Sequence, residues 1–309
     1  MKFVIIGPGA IGALFAAALA RSGHEITLLG RPSRHLDAII ANGLRLIARD
    51  GASELLRIAA TADPSVVANA ETLIVLVKTV DTAGAITSVA PFVRPGVSVL
   101  TLQNGLGNAT FVRDHLSAGA RVLPGVTSQS AIRRRPGVVA HTGEGPTLIG
   151  YDFDIDAARA SELAVTFSAA GLAAAAVPDI NRWIWRKAAV NAAINGLTAL
   201  GGCANGAIAQ NLDLLDAAET IAEEAASVAR ANGIELGGMR RQVLETAKAT
   251  AENRSSMLQD LESGRPTEVE SIHGAILKAA NRVGIHTPAI SVVAALLRAR
   301  KRRVRDEEQ

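Results

Sequence analysis

The 309-residue chain has a single cysteine, Cys203; an intrachain disulfide needs two, so none can form, and a reducing compartment is expected. That cysteine lies in the Gly-rich stretch Gly201-Gly202-Cys203 with no metal-ligand spacing around it. It reads as a small buried or half-buried residue rather than a nucleophile, and no metal is expected. Aromatic residues make up only 3% of the chain while hydrophobic residues make up 49%, weighted to Ala. Large aromatic clusters are therefore excluded, and the core must come from many closely approaching helices and strands. No apolar run is long enough to span a bilayer. The apolar N-terminus is broken by Gly7, Pro8 and Gly9 and shows no cleavage pattern, so a soluble, cytoplasmic protein with no membrane partner is expected. A net charge of +3 is too small to imply nucleic-acid binding. The one basic run, Arg298 to Arg305, is followed at once by Asp306, Glu307 and Glu308, and reads as the solvated end of a last helix.

The length suits two domains. Phe3–Ile6, Glu25–Leu29, Thr72–Val77 and Val97–Leu102 are short β-branched or apolar runs, and helical segments such as Ala10–Arg21 separate them. That alternation implies a parallel sheet with helices on both faces. Leu44–Ile47 and Arg57–Ala60 suggest a small hairpin; Gly137–Val139, Thr147–Ile149 and Leu172–Val177 suggest late strands. Past Pro178 the pattern becomes helical, with segments expected near Ile180–Leu200, Asp213–Asn232, Leu236–Asn253, Thr267–Val283 and Pro288–Arg303. Gly233 and Gly284 are placed as helix stops. The expected architecture is an α/β Rossmann-type dinucleotide-binding domain over residues 1–178, followed by an all-α domain over residues 179–309. The Ala-rich helical half also admits a homodimer interface.

Gly7-Pro8-Gly9-Ala10-Ile11-Gly12 matches GxGxxG directly after a strand and at the opening of a helix. In that context the glycines serve the tight turn, the backbone approach to a pyrophosphate and the close packing of helix on strand. The helix N-terminus offers N–H groups to the phosphates. A glycine-rich turn without a ligand is the competing reading. The second strand ends in Leu28-Leu29-Gly30-Arg31, with no acid to hold the adenosine ribose. A guanidinium there suits a 2′-phosphate, so NADPH is expected over NADH, with Arg34 assisting. A plain surface charge is the alternative for Arg31.

Lys187, Asn191 and Asn195 recur every four residues and share one helical face. Asn is a poor helix former, so two of them at this spacing point to hydrogen bonds with a fixed partner, a polar contact between domains being the alternative. Lys78 follows the strand at Leu73–Val77, where doubly wound sheets bind ligands. Asn104-Gly105 follows the next strand and also reads as a plain turn. Thr267 and Glu270 read as a capping box, in which case Glu268 would merely favour the helix dipole. Trp183 and Trp185 read as packing between domains. His141 and His273 are given no role.

GPGAIG at Gly7–Gly12, Arg31, VKT around Lys78, LQNGLG at Leu102–Gly107 and WRKAAVNAAINGLTAL at Trp185–Leu200 occur in order with Asn205, ENRSSMLQD at Glu252–Asp260 and GRPTEVESIHG at Gly264–Gly274. With these segments the chain resembles the ketopantoate reductase family over essentially its whole length. The resemblance implies NADPH-dependent reduction of ketopantoate, a small 2-keto acid, to pantoate, in a cleft between a Rossmann domain and a helical domain. It implies Lys187 as general acid and Asn191, Asn195, Asn205 and Ser256 lining the substrate pocket, with Asn253 nearby. Glu268 would hold the substrate hydroxyl or the ribose end of the site. Lys78 and Asn104 would face the nicotinamide half of the cofactor, and Ala131 would touch it, on a looser match. Pro8 fills a variable position of the motif. Reduction of a keto carbon makes an alkoxide that must be stabilised and protonated, which a charged lysine can do. Three rivals remain: a reductase of another small 2-keto acid, an NADPH-binding sensor without turnover, and a β-hydroxyacid dehydrogenase.

Overall fold

The structure, a computed structural model, describes residues 1–116, 119–151 and 156–306, with side chains as far as residue 300. The chain divides into two compact units, one of residues 1–103 and 107–180, the other of residues 104–106 and 181 onward. The first unit contains β1 (Lys2–Ile6), α1 (Ala10–Arg21), β2 (Glu25–Leu29), α2 (Arg34–Asn42), β3 (Leu44–Ile47), β4 (Ser53–Leu56), β5 (Ala59–Thr61) and β6 (Thr72–Val75). It continues through α3 (Thr82–Val89), β7 (Ser98–Thr101), α4 (Asn108–His115), β8 (Arg121–Thr127), β9 (Ser130–Arg135), β10 (Val138–Gly143), β11 (Thr147–Gly150), α5 (Ala157–Ala169) and β12 (Ala174–Val177).

Eight strands form one sheet in the order β12-β11-β8-β7-β6-β1-β2-β5, parallel except where β11 runs against β8. From β1 the strand order runs outward through β2 to β5, and from β6 it runs the other way through β7 to β8. The switch point therefore lies between β1 and β6, where a doubly wound sheet binds its ligand. Phe3, Val4, Ile5 and Ile6 are all buried, as a central strand covered on both faces requires. A second sheet has the order β4-β3-β10-β9. Helix α1 touches strands of both sheets, so Gly12 through Leu19 are buried without interruption. Small side chains are what allow a helix to be covered all round, which accounts for part of the Ala excess. The partner of β3 is β4 rather than the expected Arg57–Ala60 segment. Ala59–Thr61 instead pairs in parallel with β2 at the edge of the large sheet. A buried, tightly turned backbone at Gly43, whose Cβ would meet the Leu56 carbonyl at 2.8 Å, helps fix that register.

The second unit is helical: α6 (Ile180–Gly201), α7 (Gly206–Gln210), α8 (Leu212–Ala231), α9 (Met239–Ala249), α10 (Ser256–Glu262), α11 (Ala275–Val283) and α12 (Pro288–Asp306). Its core gathers Ile194, Ile221, Ala225, Val243, Leu258, Ile276 and Leu297. Trp185 packs into this core. Trp183 is exposed and carries the Arg186 guanidinium 5.8 Å from its ring centroid. Gly233 and Gly284 take left-handed φ values of 81° and 70°, and Gly284 caps α11. The expected helix over Thr267–Val283 starts late, with a π-helical turn at Glu270–Gly274 ahead of α11. The basic C-terminal run is more engaged than a solvated end. Arg298 makes two hydrogen bonds of 2.7 Å to Glu270. Arg300 donates to the Ala199 and Leu200 carbonyls, satisfying the open end of α6.

Candidate active site

In the first unit the glycine-rich turn joins β1 to α1 beside the switch point. Gly7 has φ +110°, and a Cβ there would sit 2.6 Å from the Val77 nitrogen; a Cβ on Gly12 would sit 2.0 Å from the Gly7 carbonyl oxygen. Both must be glycine for the turn to close against β6 and for α1 to pack on it. Gly9 is different, because a Cβ there would meet no protein atom within 4 Å. The space in front of Gly9 is open, no side chain caps the N-terminus of α1, and no acid lies in its first turn. Backbone N–H groups and the positive end of the helix dipole there suit a pyrophosphate, and Ala10 and Ile11 lie in that first turn. Pro8 packs on Gly30, where a Cβ would lie 2.5 Å from the proline Cγ. The turn is thereby fixed against the residue that precedes Arg31.

Arg31 is 82% exposed, and its Nη2 pairs with Asp81 Oδ1 at 3.0 Å. Asp81 closes a 3-10 turn, Thr79–Asp81, that follows β6 and begins after Lys78. This acid was not singled out in the sequence, because nothing in its spacing links it to the end of β2. Arg34 is exposed at the start of α2. Lys78 is half-buried. Ala131 packs against the core of the first unit and pairs with His141 across β9 and β10. His141 Nε2 lies 3.0 Å from both Gln129 Oε1 and the Gly143 carbonyl, a structural setting.

In the second unit, α6 presents Lys187, Asn191 and Asn195 on successive turns, so about 12 Å of helix separates first from last. The Lys187 side chain is half-buried. Burial pushes its pKa down from 10.5 to about 8, and the charge of Glu268 pulls it the other way. Asn195 is buried, and among the described residues the Asn191 and Asn195 amides have no hydrogen-bond partner. Asn191 is half-buried, and neither amide is sealed from solvent without a partner, so both keep hydrogen-bonding capacity for a molecule outside the fold.

Glu268 accepts a 3.0 Å hydrogen bond from Asn104 Nδ2. Asn104 is held by Gly105, whose φ is +92° and whose Cβ would lie 2.2 Å from the Ser271 carbonyl, and by the Leu106 N–H donating to that same carbonyl. The Asn104-Gly105 turn thus lies directly on the π-helical turn and aims its amide at Glu268. The capping box does not form. Thr267 Oγ1 is buried without a partner among the described residues, and the Glu270 carboxylate is taken by Arg298. His273 is fully buried and bonds the Ala192 carbonyl through Nε2 at 3.0 Å. Burial holds its pKa near 4, so the ring is neutral and Nε2–H is the donor. It fits against α6 because residue 196 is glycine, where a Cβ would lie 2.7 Å from Nε2.

Asn205 is buried; its Nδ2 donates to Thr250 Oγ1, while Oδ1 has no partner among the described residues. Its N–H donates to the Asn253 carbonyl at 2.9 Å, which brings those two residues together. Ser256 is exposed at the first position of α10. Neighbouring Ser255 caps that helix through Leu258 N–H and accepts from Thr198 on α6 at 2.9 Å. Thr198 and Ser255 set the position of Ser256 and were missed in the sequence. Thr198 lies three residues beyond Asn195 on the same helical face, a signal that could have found it.

The family model described as ketopantoate reductase PanE/ApbA matches residues 3–152, and the one described as its C terminal matches residues 179–301. A 2-dehydropantoate 2-reductase of Halobacterium salinarum is 39% identical over 98% of this chain and 99% of its own. The crystal structure of a PanE/ApbA family ketopantoate reductase from Ralstonia eutropha JMP134 overlays with a TM-score of 0.90 at 31% identity, covering 99% of this chain and 100% of that one. A ternary structure of D-mandelate dehydrogenase with NADH and anilino(oxo)acetate overlays with a TM-score of 0.94 at 25% identity, covering 99% of each chain.

Proposed function

The chain belongs to the ketopantoate reductase family of oxidoreductases, and we propose that it reduces 2-dehydropantoate (ketopantoate) to pantoate with NADPH, using Lys187 as the general acid. The observation that carries this reading is the α6 stripe: a lysine whose ammonium is destabilised by burial stands in line with two amides that the fold itself leaves unpartnered. The relatives' shared name supports the substrate. The open space at Gly9 and the uncapped α1 support a dinucleotide, and Arg31 supports the 2′-phosphate form. Residues 1–178 act as the cofactor domain and residues 179–309 as the substrate and catalytic domain.

NADPH, when held at the Gly7–Gly12 turn, would supply the hydride that the keto carbon receives. Lys187 donates a hydrogen bond from Nζ to the keto oxygen, and as negative charge builds there it passes its proton across, leaving a hydroxyl and a neutral amine that solvent reprotonates. With its pKa near 8 the lysine is about 90% protonated at neutral pH yet a far stronger acid than an ordinary lysine. Glu268 opposes the loss of the lysine charge and accepts a hydrogen bond from the product hydroxyl, in an orientation fixed by Asn104. Asn191 and Asn195 hold the substrate along α6. Asn205, Asn253 and Ser256 meet its carboxylate. In the first unit Lys78 and Ala131 would face the cofactor, and in the second Asn104 would face its nicotinamide half.

The test is NADPH oxidation by the purified protein with ketopantoate, with benzoylformate and other 2-keto acids and NADH in parallel. Turnover strongly favouring ketopantoate and NADPH is expected. The close overlay on D-mandelate dehydrogenase favours one second reading, a reductase of another 2-keto acid that accepts NADH; preference for benzoylformate with NADH would select it. Cofactor binding with no turnover on any acid would leave a sensor.

A further inference from the structure

We infer that Asp81 is a specificity-determining residue for the cofactor, its carboxylate competing with the adenosine 2′-phosphate for the Arg31 guanidinium. The inference rests on the reading that Arg31 takes that phosphate. In the sequence, the end of β2 carries Gly30-Arg31 and no acid. In space, the fold supplies an acid from the next strand of the switch point: Asp81 reaches Arg31 at 3.0 Å from the 3-10 turn that follows β6. Arg31 is 82% exposed and Asp81 only 30%, so the guanidinium is the partner open to an incoming phosphate and the carboxylate is the more enclosed one. Asp81 precedes α3 but makes no side-chain cap on it, and its N–H is already bonded to the Lys78 carbonyl at 2.8 Å.

The two cofactors meet this pair differently. A 2′-phosphate bonded to Arg31 must displace or share the Asp81 carboxylate, and it then lies beside a like charge. A ribose hydroxyl in the same place needs neither the guanidinium nor the loss of its ion pair. Asp81 therefore opposes NADPH and leaves NADH nearly untouched, so the cofactor preference is set by the balance of the pair and not by Arg31 alone. Exposed ion pairs are weak and salt-screened, which makes the opposition modest and tunable.

The experiment is fluorescence titration of NADPH and NADH onto the full chain at low and high salt, for wild type, Asp81→Asn, Arg31→Ala and the double variant. Asp81→Asn keeps the shape, and Asp81→Ser serves as a second test of the same charge. Both are expected to tighten NADPH roughly three- to tenfold at low salt, less at high salt, with NADH changed by less than about twofold. In the Arg31→Ala background Asp81→Asn should have little effect, because the competition needs the guanidinium. If Arg31→Ala weakens NADPH but Asp81→Asn and Asp81→Ser leave it unchanged or weaker, the inference is overturned while the phosphate role of Arg31 stands. Equal tightening of NADPH and NADH would also overturn it, showing general repulsion of the pyrophosphate. If Arg31→Ala binds NADPH like wild type, the underlying phosphate reading fails and the inference with it.

Discussion

Removing the Glu268 charge should move the pH limit of catalysis in a direction that only the proposed acid explains. Burial takes Lys187 from 10.5 to about 8 against the pull of Glu268, a net penalty on the ammonium of about 3 kcal/mol. In the proposed mechanism reduction needs the protonated lysine. Its single-turnover rate should therefore be flat below about pH 8 and fall tenfold per unit above it, while oxidation of pantoate, which needs the neutral amine, should rise with pH to the same midpoint. In Glu268→Gln the anion that offsets burial is gone, and the midpoint should move to lower pH in both directions of reaction. The assay is stopped-flow NADPH absorbance under single-turnover conditions, so that product release does not mask the chemical step. A wild-type midpoint near that of a free lysine would refute the buried-acid argument. So would an upward shift in Glu268→Gln, since a carboxylate that raises the lysine pKa cannot do so by its absence.

The remaining predictions concern what the site costs the fold. Lys187→Met should abolish most turnover yet raise stability to urea by about 1–3 kcal/mol near neutral pH, a gain that shrinks as pH rises from 8 toward 10.5 and wild type sheds the buried charge; a destabilised variant would contradict the burial argument. Gly9→Ala, with φ −66° and open space around it, should keep stability within about 0.5 kcal/mol and weaken NADPH about tenfold or more. Gly12→Ala, with its Cβ 2.0 Å from the Gly7 carbonyl oxygen, should lose about 3 kcal/mol or more; equal melting temperatures for the two variants would defeat the distinction. His273 is held near 4 by burial against 6.5 when unfolded. Its contribution, about 3 kcal/mol, is whole above 6.5 and is lost as pH falls toward 4, so His273→Asn should flatten that acid-side slope in urea titrations.

The Rossmann-type unit was legible because its signals are local. The motif at Gly7–Gly12 comes straight after a strand and opens α1, observed over Ala10–Arg21 as its composition suggests. The same locality made α6 visible, since Lys187, Asn191 and Asn195 share a face by spacing alone. What spacing could not give was pairing between distant segments. Arg57–Ala60 has the composition of a hairpin arm, but the arm is Ser53–Leu56, and register against β3 decides it. Asp81 stayed hidden because its partner is fifty residues away in sequence. The short helices α7 and α10 were missed because each is only one to two turns long, too brief for a periodicity to emerge.

The π-helical turn shows why Glu268 misleads when read by local rules. Thr267, Glu268 and Glu270 have the spacing of a helix start, and a helix beginning there would spend Glu270 on the backbone of Thr267. Two contacts distant in sequence win instead: Arg298 takes the Glu270 carboxylate with two bonds, and the Ser271 carbonyl receives the Leu106 N–H. With the helix start cancelled, the chain reaches α11 through the wider turn, seen in the Gly274 N–H bonding back five residues to the Val269 carbonyl. Glu268 then lies outside any regular helix, orientated by Asn104 and felt electrostatically by Lys187. Thr267 keeps a buried hydroxyl with no partner among the described residues, as Asn205 keeps a carbonyl. Such unsatisfied groups are costs a fold bears where an arrangement serves chemistry rather than stability. Thr267 directly precedes Glu268, the carboxylate whose charge Lys187 feels, so at least that cost is borne next to a group the proposed mechanism uses.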